Sequence, residues 1–191
     1  MATGATPKSY TATIALTMIG AGLLILGVAA LVMLPGLKSE AGSSEEITAV
    51  PSAVNYPAPQ VNLSDLQGNL VSLSDSLGKV VLINQWASWC PPCKAEMPTL
   101  QAYYEAHQDK DFTIIAIDEG EPTGTVERFI EEYGLTFPVW QDPQQKSLEI
   151  FGYDGLPSSY VVDREGNVRL VWFGAINREM LEKHVTPLIE E

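Results

Sequence analysis

The sequence predicts an α/β domain with a mixed central sheet flanked by helices, preceded by a single transmembrane helix. Two observations support this fold class. Short apolar stretches typical of strands alternate with amphipathic stretches of helical period through the C-terminal part of the chain. One long uncharged stretch stands apart near the N-terminus. A chain of 191 residues has room for one well-packed domain and such an appendage.

The transmembrane helix is predicted over Thr13–Leu34. No charged side chain occurs from Ser9 to Leu37, and as a helix the apolar window would span roughly 33 Å, enough to cross a hydrocarbon core. A cleaved signal peptide is the alternative, with Ser39-Glu40-Ala41 as a small-x-small cleavage site. We favour an uncleaved anchor because the apolar stretch exceeds the roughly 7–15 residues of a signal sequence.

The anchor separates a short arm, residues 1–12, from the rest of the chain. Residues 35–56 are rich in Ser, Ala, Glu and Pro without an apolar period, which predicts a flexible linker to a folded domain over 57–191. The number of Lys and Arg residues hardly differs between the two flanks of the anchor, so charge does not decide its orientation. The short arm and the large C-terminal part favour a cytoplasmic arm and a domain on the outer, oxidising side.

The folded domain is predicted to alternate strands and helices. The first patterns indicate a hairpin turning at Gln67-Gly68-Asn69, a buried strand over 80–86 and a helix over Pro92–His107. A strand over 112–118, an amphipathic helix over Thr123–Tyr133 and a strand over 137–142 follow. The last patterns indicate a short helix over 144–151, two strands flanking Arg164–Asn167 and a helix over 178–189.

The charge balance argues against one class of partner. Asp and Glu outnumber Lys and Arg by 24 to 11, which gives a net charge of −13, and the acidic residues are scattered. Without a basic patch to neutralise phosphates, we expect no nucleic-acid binding.

The only two cysteines, Cys90 and Cys93, form a CxxC motif. A zinc site needs about four ligands, and the two histidines, His107 and His184, lack zinc-finger spacing. A structural disulfide would close a very small loop and stabilise little. A redox dithiol between a strand and a helix start is the favoured reading, and we expect no metal and no cofactor besides the Cys90–Cys93 disulfide.

The residues around the motif suit a reactive thiol. Cys90 falls at a helix N-terminus, where the dipole favours an anion and thiol pKa values drop to roughly 3.5–7.5. Pro91 and Pro92 remove two N–H donors, and a proline suits the first helical turn. Trp89 is expected at the rim of the site, and Trp86 either there or in the core.

The chain resembles the TlpA/ResA-like family of membrane-anchored thiol–disulfide oxidoreductases in two stretches, NQWASWCPPCKAEMPTL and GLPSSYVVDREGNV. It also shares the hairpin before the motif strand and Pro98 in the helix after the motif. The resemblance covers roughly residues 57–191 and includes the insert EGEPTGTVERFIEEYGLTFPV. It implies a thioredoxin-like fold. It also implies that Cys90 attacks a substrate disulfide and that Cys93 resolves the mixed disulfide.

The family pattern implies further site residues. Leu156 and Pro157 match a cis-proline loop that offers backbone groups to a substrate, and Trp89, Pro91 and Pro92 would border the same surface. We therefore predict a cis peptide bond at Leu156–Pro157.

Glu96 is the acidic residue singled out, because cytochrome-maturation members of the family carry a functional glutamate there. It would relay protons to and from Cys93, and surface compensation of the helix dipole is the alternative. Asn84 replaces the titratable buried aspartate of thioredoxin, which favours Glu96 in this role. Gln85 departs from the family's usual phenylalanine, which puts an expected apolar contact in doubt.

The resemblance implies a single-pass protein of the bacterial cytoplasmic membrane, with its domain outside. We expect a monomer that reduces disulfides in exported proteins such as apocytochrome c and is recharged by a CcdA/DsbD-like membrane donor. A disulfide-forming oxidant is the first alternative. A copper-site assembly module is the second, with Met97 beside the motif as its only support.

Overall fold

The computed structural model describes residues 50–191. The strands are β1 (Ser52–Pro57), β2 (Asn62–Asp65), β3 (Leu70–Ser72), β4 (Val80–Trp86), β5 (Phe112–Glu119), β6 (Val139–Asp142), β7 (Ser158–Val162) and β8 (Asn167–Phe173). The helices are α1 (Pro91–His107), α2 (Thr123–Tyr133), α3 (Lys146–Phe151), α4 (Arg178–His184) and α5 (Thr186–Glu190), with a 3-10 turn at Leu73–Ser76.

All eight strands join one mixed sheet in the order β1-β8-β7-β4-β5-β6-β2-β3. The central strands β4, β5 and β6 run parallel, and β7 pairs antiparallel with β4. The predicted hairpin, β2 and β3, adds to the far edge of β6. The predicted α/β fold with a mixed sheet is therefore confirmed.

The strand β4 separates two cores. It is buried along its whole length, and its alternate side chains enter opposite faces. Leu82 and Trp86 pack into the cluster that includes α1, α2, α4 and α5. Ile83 packs into the other cluster, which contains the hairpin residue Leu63 and contacts Phe151 of α3. The two polar residues of this strand, Asn84 and Gln85, consequently face opposite cores.

Two predicted boundaries were wrong. Residues 52–56, assigned to the linker, form β1 and pair with β8. Sequence patterns missed this strand because its side chains are mostly exposed and its contribution is backbone pairing. The last predicted helix divides at Val185 into α4 and α5. Pro187 explains the break, because it has no N–H for a continuous helical ladder.

The predicted membrane span, Thr13–Leu34, lies outside the described residues, as do the predicted arm and residues 35–49 of the linker. Within residues 50–191, no helix is both long enough and apolar enough to span a bilayer.

Removing β1 is expected to destabilise the domain. A chain that begins at Ala58 leaves one edge of β8 unpaired, whereas a chain that begins at Val50 keeps it paired. We expect a loss of about 2 kcal/mol, which lowers Tm by roughly 4–8 °C. Thermal unfolding followed by circular dichroism measures the difference, and equal Tm values would show that β1 pairing adds no stability.

Candidate active site

The CxxC motif occupies the turn between β4 and α1. Cys90 is the N-cap of α1, and its sulfur accepts a hydrogen bond of 3.3 Å from the Cys93 N–H. Pro91 and Pro92 fill the first two helical positions, where a missing N–H costs nothing. Cys90 and Cys93 are joined as a disulfide, and both residues are buried, Cys90 being 3% exposed and Cys93 0%.

The two tryptophans before the motif have different environments. Trp89 is 64% exposed beside Cys90, in agreement with the predicted position at the rim. Trp86 is fully buried, and its ring lies 4.5 Å from that of Phe129 on α2. Trp86 is thus a core residue, and Trp89 is the aromatic side chain that the motif presents to solvent.

The predicted cis peptide bond at Leu156–Pro157 is present. Residue 157 immediately precedes β7, whose first residue, Ser158, pairs with Gln85 near the end of β4. The cis-proline loop therefore lies at the same end of the sheet as the CxxC motif. The Pro157 carbonyl accepts a hydrogen bond of 2.9 Å from the Gly174 N–H, which ties the loop to the end of β8.

Glu96 is buried one helical turn after Cys93, so its surface alternative was wrong. One carboxyl oxygen accepts a hydrogen bond from Asn84 Nδ2 at 2.9 Å, and the other accepts from the Ile176 N–H at 2.8 Å. Burial raises the pKa of Glu96 to about 8, although both hydrogen bonds oppose the shift. The carboxyl group is consequently protonated for the most part at neutral pH.

Asn84 connects Glu96 to the cis-proline strand. Its side-chain N–H₂ also donates to Ser159 Oγ at 2.9 Å, so a single amide joins α1 to β7. Asn84 does not titrate, but it orients the group that does.

Sequence reasoning missed an acidic contact to the loop before the motif. The carboxylate of Glu121 accepts hydrogen bonds from both the N–H and the hydroxyl of Ser88, two residues before Cys90. The Glu121 N–H in turn donates to Asp118 at the end of β5, whose pKa burial raises to about 7. Asp118 and Glu121 lie in the acidic run DEGE at the end of a buried strand, a signal available from the sequence.

Gln85 makes polar contacts at a position where the family pattern suggests apolar ones. It is fully buried, and it accepts from Ser158 Oγ at 2.6 Å and donates to Ser147 Oγ at 2.7 Å. Polar neighbours from α3 and β7 therefore replace the expected apolar packing.

Of the residues considered for metal binding, Met97 and His107 are buried and His184 is partly buried. Met97 is fully buried on α1, which removes the only support for a copper site. His107 stacks on Tyr103, and the ring of His184 lies 6.3 Å from that of Trp172. No group of three or more Cys, His, Asp or Glu within residues 50–191 is arranged to hold a metal ion.

Comparison with known proteins agrees with this geometry. A family model described as the AhpC/TSA family matches residues 54–171. The thiol-disulfide oxidoreductase ResA of Geobacillus thermodenitrificans is 38% identical over 163 residues, which cover 85% of this chain and 90% of the relative. ResA of Bacillus anthracis is 38% identical over 137 residues, covering 70% and 79%.

A solved structure extends the similarity to the fold. A thiol:disulfide interchange protein of the thioredoxin family from Chlorobium tepidum superposes with a TM-score of 0.64 at 26% identity. The superposition covers 72% of this chain and 99% of that one. The predicted thioredoxin-like fold is thereby confirmed.

The raised pKa of Glu96 predicts a pH-dependent stability. Because the pKa of Glu96 in the folded protein, about 8, exceeds its ordinary value of 4.5, the contribution of the neutral carboxyl group to stability is complete below pH 4.5 and is lost as pH rises through 8. In Glu96→Gln this loss is absent. We expect the Tm difference between variant and wild type to shift in favour of the variant by several degrees from about pH 5 to about pH 9.

Thermal unfolding at several pH values measures this difference. Glu127→Gln is the matched control, since Glu127 is exposed on α2. A Tm difference for Glu96→Gln that does not vary with pH would contradict the raised pKa.

Proposed function

This chain belongs to the AhpC/TSA family and is a thiol–disulfide oxidoreductase of the ResA-like type, and from that premise we propose that it reduces disulfides in exported proteins. The uncharged stretch Thr13–Leu34 would anchor it in the bacterial cytoplasmic membrane with its domain outside. Apocytochrome c is the proposed substrate, and a CcdA/DsbD-like membrane protein the proposed electron donor. The similarity of this chain to ResA, a thiol-disulfide oxidoreductase, supports the proposed class of reaction.

The observation that carries the mechanism is the buried carboxyl group one turn from the resolving thiol. In the reduced protein, the Cys90 thiolate at the start of α1 attacks a substrate disulfide, and one substrate thiolate leaves and takes up a proton. A mixed disulfide then joins Cys90 to the substrate. The Cys93 thiol must lose its proton before it can attack Cys90 and release the second substrate thiol.

Glu96 in its ionised form, a minority near neutral pH because its pKa is about 8, is suited to receive this proton. Its pKa of about 8 lies close to the roughly 8.5 of an ordinary thiol, so proton transfer between the two groups is nearly balanced in free energy. The proton returns through Glu96 to the departing substrate sulfur. Two electrons pass from the Cys90–Cys93 dithiol to the substrate, and the donor restores the dithiol.

The remaining predicted residues form the proposed substrate surface. Trp89 gives an exposed aromatic face, while the prolines of the motif and the cis-proline loop lie at the same end of the sheet. An extended substrate segment would pair with the backbone at Leu156, as in strand addition. Such backbone contacts suit an enzyme that acts on many sequences.

The direction of electron transfer is tested by the reduction potential. The domain beginning at Val50, which keeps β1, is equilibrated with glutathione or dithiothreitol mixtures and followed by tryptophan fluorescence. A reductase is expected at or below roughly −250 mV, near thioredoxin. A value near about −120 mV would place it with strong oxidants and reverse the proposal.

The roles of the two cysteines are tested by trapping. Cys93→Ser is expected to accumulate a mixed disulfide with substrate proteins, because the resolving thiol is gone. Cys90→Ser is the matched control and should trap little, since it lacks the thiol that is proposed to attack the substrate. Non-reducing electrophoresis measures the adducts, and equal trapping by both variants would contradict the assignment of Cys90 as the attacking thiol.

A further inference from the structure

Two adjacent serines after the cis-proline connect to opposite faces of the sheet. Ser158 and Ser159 are the first residues of β7, and their side chains alternate across the strand. The hydroxyl of Ser159 accepts from Asn84, which also binds Glu96. The hydroxyl of Ser158 starts a second chain of hydrogen bonds on the other face.

This second chain ends on a buried carboxyl group that the proposed chemistry does not use. Ser158 Oγ donates to Gln85 Oε1 at 2.6 Å, and Gln85 Nε2 donates to Ser147 Oγ at 2.7 Å. The Ser147 hydroxyl then donates to Glu119 Oε1. All four side chains are buried, and every donor in the chain points toward Glu119.

The environment of Glu119 favours its neutral form. Burial raises the pKa of Glu119 to about 8, and the nearby acidic groups of Asp142 and Asp118 add to the rise. The other ionisable side chains around the chain of hydrogen bonds are Tyr160 on β7, which has a pKa of about 12, and the exposed Lys146 and Glu149 on α3. Glu119 and Asp118, whose pKa values burial raises to about 8 and about 7, are thus the groups of this cluster that titrate near neutral pH.

Stability alone does not account for this arrangement. Apart from Asp142, which accepts a hydrogen bond from the Ser147 N–H, the neighbouring buried residues include Ile83 and Ile117 on the strands that carry Gln85 and Glu119. Burying a polar group costs free energy even when it is hydrogen-bonded, and apolar side chains of similar size would be cheaper. A chain of four buried polar residues that begins next to the cis-proline points to a role at that loop.

We propose that Glu119 is a positioning residue for the substrate-binding loop, acting through Ser147, Gln85 and Ser158. Ionised Glu119 can only accept, which orders all three donors toward it and holds Ser158 in one arrangement. Protonated Glu119 can itself donate to Ser147, and the chain then loses its single direction. The inference rests on the proposed use of Pro157 and its neighbours to bind substrate.

The two buried carboxyl groups are therefore expected to control different steps. Glu96 governs the rate at which the mixed disulfide resolves, while Glu119 governs how well the loop binds a protein substrate. The half-saturating substrate concentration should change about three- to tenfold as Glu119 ionises, a range typical of one altered hydrogen bond.

The test uses the full chain in mild detergent, reduced beforehand, with insulin as the disulfide substrate. Single-turnover rates are measured against insulin concentration from about pH 6 to about pH 9.5, which brackets the pKa of about 8. In Glu119→Gln the half-saturating concentration should no longer vary with pH, while the maximal rate keeps its profile. In Glu96→Gln the opposite pattern is expected.

Further variants separate positioning from folding defects. Ser147→Ala interrupts the series of hydrogen bonds without changing a charge, and it should also abolish the pH dependence of the half-saturating insulin concentration. Ser147→Thr keeps a hydroxyl group and should retain that pH dependence. Glu127→Gln, on the exposed face of α2, should match wild type. Reduction of 5,5′-dithiobis(2-nitrobenzoate), which is too small to pair with the loop, should be equal in Ser147→Ala and wild type.

A pH dependence of half-saturation that persists in both Glu119→Gln and Ser147→Ala would overturn the inference and leave the proposed function intact. Failure of the reduced chain to transfer electrons to insulin would instead count against the reductase. In that case the pH dependence of half-saturation is compared again, with the oxidised protein acting on reduced insulin chains. Positioning of the loop by Glu119 predicts that this pH dependence is again lost in Glu119→Gln and Ser147→Ala.

Discussion

The antiparallel pairing of β4 with β7 places Asn84 opposite Ser159 and Gln85 opposite Ser158. This register brings the cis-proline loop to the end of the sheet that carries the CxxC motif. The register also places Asn84 and Ser159 on one face of the sheet, and Gln85 and Ser158 on the other. A slip of one residue would exchange the faces and disconnect Glu96 from β7, so the geometry of the site depends on this pairing.

Buried carboxyl groups give the site its titration behaviour at the expense of stability. Glu96 is held by two hydrogen-bond donors, yet burial dominates and raises its pKa close to that of a thiol. As pH rises, the buried group must ionise in the folded protein, and the free energy of unfolding falls. In the proposed mechanism, the same property that opposes folding as pH rises would bring the pKa of Glu96 close to that of a thiol and so permit proton exchange with Cys93.

The departures from the family pattern belong together. Gln85 would be out of place alone in an apolar core, but Ser147 and Ser158 satisfy its amide, and Glu119 ends the chain. A buried polar network specifies its own geometry because each unsatisfied member is costly. The carboxyl group of Glu121 also accepts two hydrogen bonds from Ser88, two residues before Cys90.

The sequence by itself determined the order of most strands and helices and the helix start at Cys90, because periodicity and proline geometry are local properties. The cis-proline was predicted from the resemblance of the stretch around Leu156 and Pro157 to a known family. It did not reveal β1, whose exposed side chains carry no pattern. Only the tertiary structure decided that Glu96 is buried, since the segment at Ile176 covers it from 80 residues away in the chain. Only strand register joined Gln85 to Glu119, because burial and hydrogen-bond partners arise from contacts between distant segments.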